Sequence, residues 1–268
     1  MNPGKPTEGW DQIMSLPRRL RLIGPDELAI EPAAELDSLR YARTHEGPMR
    51  LPANQEIVLD DRIGGKSFEL SARIDPKVFE LNVLRSPGGE EVTRISFFKE
   101  RGFRIRDPKL GAPIMSLVSL DTSHSSILPD VRFRAPETAP LQFADGEMLN
   151  LEVYVDRSIV EVFVNGRQCV AARVYPGRED STGVSVVARG QDATIESLDA
   201  WKLNSIYECK SAIQLRAQHP FVRTALHWEI EVYCRSSTHL RYLRRTAFEN
   251  RVELPIASSY LSRRRIRR

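Results

Sequence analysis

Apolar side chains recur at every second position through long stretches of this chain, the repeat of a strand buried on one face. The pattern is clearest between Leu151 and Arg173. There Leu151, Val153 and Val155 alternate with Glu152 and Tyr154. Next, Val160, Val162 and Val164 share one face while Ile159, Glu161 and Phe163 share the other. Asp156, Arg157 and Ser158 separate the two segments with turn-forming side chains. Asn165-Gly166 then supplies two residues that accept positive φ, the requirement of a type I′ hairpin. A third segment sets Cys169, Ala171 and Arg173 against Val170, Ala172 and Val174. The spacing predicts three antiparallel strands in a meander.

Shorter runs of the same kind extend in both directions. Leu20–Leu22 and Glu27–Ile30 flank Gly24-Pro25-Asp26, a hairpin turn. Further strands are predicted over Ile57–Leu59, Ser67–Ile74, Phe79–Leu84, Val92–Phe98, Leu117–Asp121, Gly183–Arg189 and Ala193–Leu203. Ala33–Tyr41 has a short helical spacing, and residues 99–142 are less regular, with five prolines. Regularly spaced strands punctuated by Gly, Pro and Asp predict an all-β fold, an antiparallel sandwich of concanavalin-like or jelly-roll type over residues 15–206.

Composition changes the picture only near the end. Residues 207–268 hold 13 Lys+Arg against 5 Asp+Glu and no glycine; residues 1–206 hold 26 against 31 and all 15 glycines. Residues 207–268 are therefore expected to be an irregular basic tail outside the domain. Its closing Arg263-Arg264-Arg265-Ile266-Arg267-Arg268 invites a nucleic-acid reading through phosphate attraction. The preferred reading is unselected sequence, such as a shifted frame, because the composition turns where the sandwich ends. No apolar run approaches the roughly 20 residues of a membrane span. Met1–Glu8 lacks an apolar signal core, so the chain as written is expected to stay in the cytoplasm. Cys169, Cys209 and Cys234 are too scattered for a disulfide framework, and with five dispersed histidines no metal site is expected. Neither a Walker loop nor Gly-x-Gly-x-x-Gly occurs, and no cofactor is expected.

Val155-Asp156-Arg157-Ser158 followed by Val160-Glu161-Val162-Phe163 resembles a strand signature of the C-terminal β-sandwich in glycoside hydrolase family 32. That family contains invertases, levanases, inulinases and sucrose-6-phosphate hydrolases. Gly9-Trp10 with Ser15-Leu16-Pro17-Arg18 resembles the segment joining the family's catalytic propeller to its sandwich. Pro32, Glu35, Leu36, Leu39 and Arg40, and later Ser197–Leu203, are similar to two further sandwich segments. The resemblance implies an enzyme lineage that cleaves β-fructofuranosidic bonds in sucrose or fructans. It makes residues 1–14 a linker remnant from a propeller missing from this reading frame. In the intact enzyme the sandwich would pack on that propeller and support stability or homodimer contacts.

The same resemblance asks for a nucleophile in an Asn-Asp-Pro-Asn-type motif, an acid/base in Glu-Cys and a stabilising aspartate in Arg-Asp-Pro. No Asn-Asp-Pro is present; Glu208-Cys209 follows the last sandwich strand, and Arg106-Asp107-Pro108 falls inside the sandwich region. A retaining glycosidase holds its two carboxyl groups about 5 Å apart, which dipeptides on unrelated loops do not achieve. No catalytic or substrate-binding residue is therefore assigned, and the chain alone is expected to be inactive.

Other side chains have competing readings. Asp156, Arg157, Ser158 and Glu161 read as a turn with a cross-strand charge pair, in preference to sugar contacts. Tyr154, Phe163 and Tyr175 read as packing rather than as platforms for sugar rings. His124, among serines but without a nucleophile elbow, reads as a hydrogen-bonded loop. Beyond the accessory domain, two classes remain in view: a free-standing carbohydrate-binding module and, less favoured, a basic-tailed nucleic-acid binder.

Overall fold

The computed structural model describes residues 13–25, 27–75, 78–101, 115–132 and 134–206. Within them the strands are β1 (Arg18–Leu22), β2 (Leu28–Pro32), β3 (Arg40–Glu46), β4 (Met49–Leu51), β5 (Glu56–Val58), β6 (Ser67–Ile74), β7 (Val78–Arg85) and β8 (Thr93–Phe98). They continue as β9 (Ser116–Asp121), β10 (Glu137–Leu141), β11 (Leu149–Asp156), β12 (Ile159–Val164), β13 (Gln168–Arg173), β14 (Gly183–Ala188) and β15 (Ala193–Leu203). A 3-10 helix over Ala34–Leu39 joins β2 to β3.

The ladders are antiparallel. One sheet runs β10-β9-β8-β7-β14-β5; the other runs β13-β12-β11-β6-β15-β3, with β4 also paired to β15. Alternation builds the layer between them. Phe68, Leu70 and Ile74 of β6, Leu151, Val153 and Val155 of β11, and Val160, Val162 and Val164 of β12 point inward from the seven-stranded sheet. From the six-stranded sheet come Phe79, Leu81 and Val83 of β7, Ile95 and Phe97 of β8, and Val184 and Val186 of β14. These residues form one continuous core, so the predicted sandwich is the fold.

The meander follows its sequence pattern. Val153 stands opposite Val162, and Val162 opposite Val170. Asn165 and Gly166 take φ of 50° and 60°, and the Arg167 N–H donates to the Val164 carbonyl at 3.0 Å. The expected helix over Ala33–Tyr41 needs correction: it is a 3-10 turn that stops at Leu39, and Arg40 already begins β3. Strands β3, β4 and β10 had no sequence signal. β3 and β10 lie at sheet edges and are largely exposed, so no apolar alternation marks them. β10 also carries Pro140, which an edge strand tolerates. Residues 1–12 and 207–268, with Arg106-Asp107-Pro108, Glu208-Cys209 and Cys234, lie outside the described residues.

One carboxylate ties the loops at an end of the sandwich. Glu91 is fully buried. It accepts from the Ile127 and Gly177 N–H groups at 2.8 and 2.7 Å, the Arg178 N–H at 3.1 Å and the Ser181 hydroxyl at 2.5 Å. Burial by itself would raise the pKa, but the Ser181 hydroxyl and the three N–H groups together hold it below the usual carboxylate range. A depressed folded pKa contributes stability that is present above the unfolded value, about 4.3, and lost as pH falls through the folded one. Glu91→Gln should therefore lose about 3 kcal/mol at pH 7. In urea unfolding, the gap to the parent should shrink steadily as pH drops below about 4; a gap independent of pH would rule this account out.

Candidate functional site

The outer face of the seven-stranded sheet carries the residues that the sequence singled out. Tyr154 and Phe163 are buried edge to face, with ring centroids 6.0 Å apart. Leu36 is buried beside them, and Leu16, Ile30, Leu39, Cys169 and Leu203 surround the group. The segment ahead of β3 thus covers this face. The aromatic rings pack against it and present no platform, and Tyr175 is likewise buried.

Glu161 also differs from expectation. Its carboxylate accepts from the Leu16 N–H at 2.6 Å and from Arg18 at 2.7 Å, so its ion-pair partner comes from β1 and not from the Asp156–Ser158 turn. The cross-strand charge pair is corrected to a long-range one, because burial at 1% exposure demands a cation that the exposed turn cannot bring. Glu69, fully buried on β6, which β11 separates from β12, is gripped at both oxygens by Arg40, whose guanidinium also stacks 4.5 Å over Trp201. The Glu69 hydrogen bonds raise the Arg40 pKa further above its already high value. Burial pushes the Cys169 thiol up to about 11, so it is not a nucleophile at neutral pH. The face is closed and cross-linked.

The opposite outer face, on the six-stranded sheet, is open. Strands β5, β14, β7 and β8 carry a depression of about 390 Å³ lined by polar side chains, among them Glu56, Glu80, Asn82, Arg85, Arg94 and Arg189. Arg85 holds Glu56 through two bonds of 2.8 and 3.3 Å, and Arg189 holds Glu80 at 2.7 Å. The Arg85 hydrogen bond chiefly lowers the Glu56 pKa, which keeps the carboxyl ionised. An ionised carboxylate only accepts, so the Ser185 hydroxyl at 2.6 Å must donate to it. The Ser185 oxygen then accepts from the Asn82 amide N–H at 3.1 Å. This chain fixes the amide orientation and leaves Asn82 Oδ1 buried without a hydrogen-bond partner, as Arg94 Nε also is. Arg94 is held only by charge, 3.8 Å from Glu80 and 3.7 Å from Asp121.

None of these pocket residues was a candidate in the sequence. The available signal was Asn82 alternating with Glu80 in β7 and Ser185 among valines; the meeting of Asn82 and Ser185 depends on β14 pairing with β7, where the two stand opposite each other. His124 lies in a hydrogen-bonded loop, with Nδ1 3.0 Å from the Ser123 hydroxyl oxygen and its carbonyl accepting from the Val92 N–H. Among the described residues no three His, Cys, Asp or Glu side chains gather to hold a metal ion.

The family model described as glycosyl hydrolases family 32 C terminal matches residues 35–202. The chain belongs to glycosyl hydrolase family 32. Curated relatives of this family 32 domain include the acid beta-fructofuranosidase of Phaseolus vulgaris, 27% identical over 75% of the chain and 35% of that protein. The levanase of Bacillus subtilis is 26% identical over 75% of the chain and 29% of its own length. The chain thus spans about a third of the relatives it matches. In fold it is similar to fructan 1-exohydrolase IIa from Cichorium intybus, with TM-score 0.60, 18% identity, and coverage of 71% of this chain and 41% of the other. The exo-inulinase from Aspergillus awamori gives TM-score 0.57 at 20% identity, covering 75% and 37%.

The family 32 sandwich has a testable dependence on its buried pair. Arg40→Met strands the Glu69 charge and should cost about 3–5 kcal/mol in urea denaturation. Adding Glu69→Met should restore most of that loss, and a double variant no better than the single one would contradict the pairing.

Proposed function

We propose that this domain serves as the accessory sandwich of an enzyme that hydrolyses β-fructofuranosidic bonds in sucrose or fructans, with bond cleavage carried out by a catalytic domain beside it. The family match over residues 35–202 carries the reading, and the names of the relatives supply the substrate class. Five of the described carboxylates support the division of labour. Glu69 and Glu161 are locked to Arg40 and Arg18, Glu91 to backbone donors, and Glu56 and Glu80 to Arg85 and Arg189. A carboxyl committed as an ion-pair acceptor does not protonate a leaving group. The hairpin β1–β2 exposes Leu20, Leu22 and Leu28 along one ribbon, an apolar surface suited to a neighbouring propeller; a second copy of the chain, giving a homodimer, is the other occupant this surface fits.

The purified 268-residue chain should release no reducing sugar from sucrose, inulin or levan. It should raise the melting temperature of a levanase catalytic domain deprived of its own sandwich. Turnover by the chain alone, abolished by Asp107→Asn, would overturn the proposal.

A further inference from the structure

We propose that the depression on the outer face of the six-stranded sheet is a binding site for a neutral saccharide, which is held through its hydroxyl groups between Asn82 and Arg94. Of the three buried polar side-chain atoms without a hydrogen-bond partner among the described residues, two belong to residues that line this depression; the third is the Tyr175 hydroxyl. Asn82 is 5% exposed, and its Oδ1 is a buried acceptor without a partner; Arg94 Nε is a buried donor without one. Both residues line the same depression and stand opposite each other on paired strands β7 and β8. Buried polar atoms of this kind are rare in native structures and mark places where a ligand or water completes the network.

The chemistry of the two atoms selects the ligand. A hydroxyl both donates, to Asn82 Oδ1, and accepts, from Arg94 Nε–H. A carboxylate accepts from Arg94 but offers Asn82 nothing, and an ammonium donates to Asn82 but cannot accept from Arg94; a hydrogen phosphate could do both, but its negative charge would sit beside Glu80 and Asp121. The surrounding charges favour a neutral ligand as well. Glu56 is matched by Arg85 and Glu80 by Arg189, while Arg94 faces Glu80 and Asp121. The volume of about 390 Å³ is far beyond one water molecule and falls within the roughly 300–1,000 Å³ of small-molecule sites. No aromatic residue lines it, so a sugar would be recognised at its edge, by hydroxyl geometry, and not by stacking on a ring face.

Nothing in this inference depends on the fructoside reading, and the test separates the two. The isotope-labelled full-length chain is titrated with fructose, sucrose, glucose and inorganic phosphate, and nuclear magnetic resonance follows the Asn82 side-chain amide and the Arg94 Nε–H. At least one neutral sugar should shift both signals saturably, and phosphate should not. Asn82→Ala and Arg94→Met should each weaken that binding about tenfold or more, with the melting temperature retained. A response to glucose alone also supports the site, which is defined by hydroxyl recognition and not by the kind of sugar. If no sugar moves the two signals, if phosphate moves them instead, or if the folded variants bind as well as the parent, the proposal is wrong. Should either variant fail to fold, the titration of the unaltered chain is decisive by itself.

Discussion

Both faces of the seven-stranded sheet are covered near its middle, and most of the domain's particular features follow from that constraint. The inner face meets the other sheet; the outer face of β11 and β12 meets the segment between Leu16 and Leu39. A strand buried on both sides is ordinarily apolar throughout. Here the outer positions include Glu69 and Glu161, and a buried carboxylate without a cation is severely destabilising. Their partners, Arg18 and Arg40, lie on the covering segment and at its exit. Apolar contact alone would let that segment slide, whereas two directed ion pairs, one at each end, set its position.

The two outer faces consequently have different fates. On the seven-stranded sheet the buried charges of Glu69 and Glu161 are answered by Arg40 and Arg18, and the buried Tyr154 and Phe163 are consumed as packing. On the six-stranded sheet the same alternation places Asn82, Arg94 and Ser185 on the outer side, where Asn82 and Arg94 line the polar depression and Ser185 is buried and bonded to Asn82 and Glu56. The closed face holds the molecule together. The open face is where chemistry with a ligand has room.

How much of this was legible in the sequence depends on what hydrophobic spacing reports. The meander and β15 were readable because their core-facing positions are apolar, so Val160, Val162 and Val164 recur at every second position even though Glu161 and Phe163 between them are buried as well. The edge strands β3 and β10 bury little and leave none. Glu161 was visible as a polar interruption, but its partner Arg18 lies 143 positions away, a distance across which spacing is silent. The pocket fared the same way. Asn82 and Arg94 line it and Ser185 bonds to Asn82, yet each sits in a different strand, and only the strand order β8-β7-β14 brings them together.

Glu91 has an implication for how such a domain can change over time. Its donors come from two loops, one through Ile127 and one from Gly177 to Ser181, while the carboxylate itself is carried by a third. Three loops that share one charge cannot vary in length independently, since a single inserted residue would swing a carbonyl toward the carboxylate where an N–H now points. That end of the sandwich should therefore tolerate insertions only in compensated sets. A foreign loop grafted there would have to arrive with its own donor already aimed at the shared carboxylate.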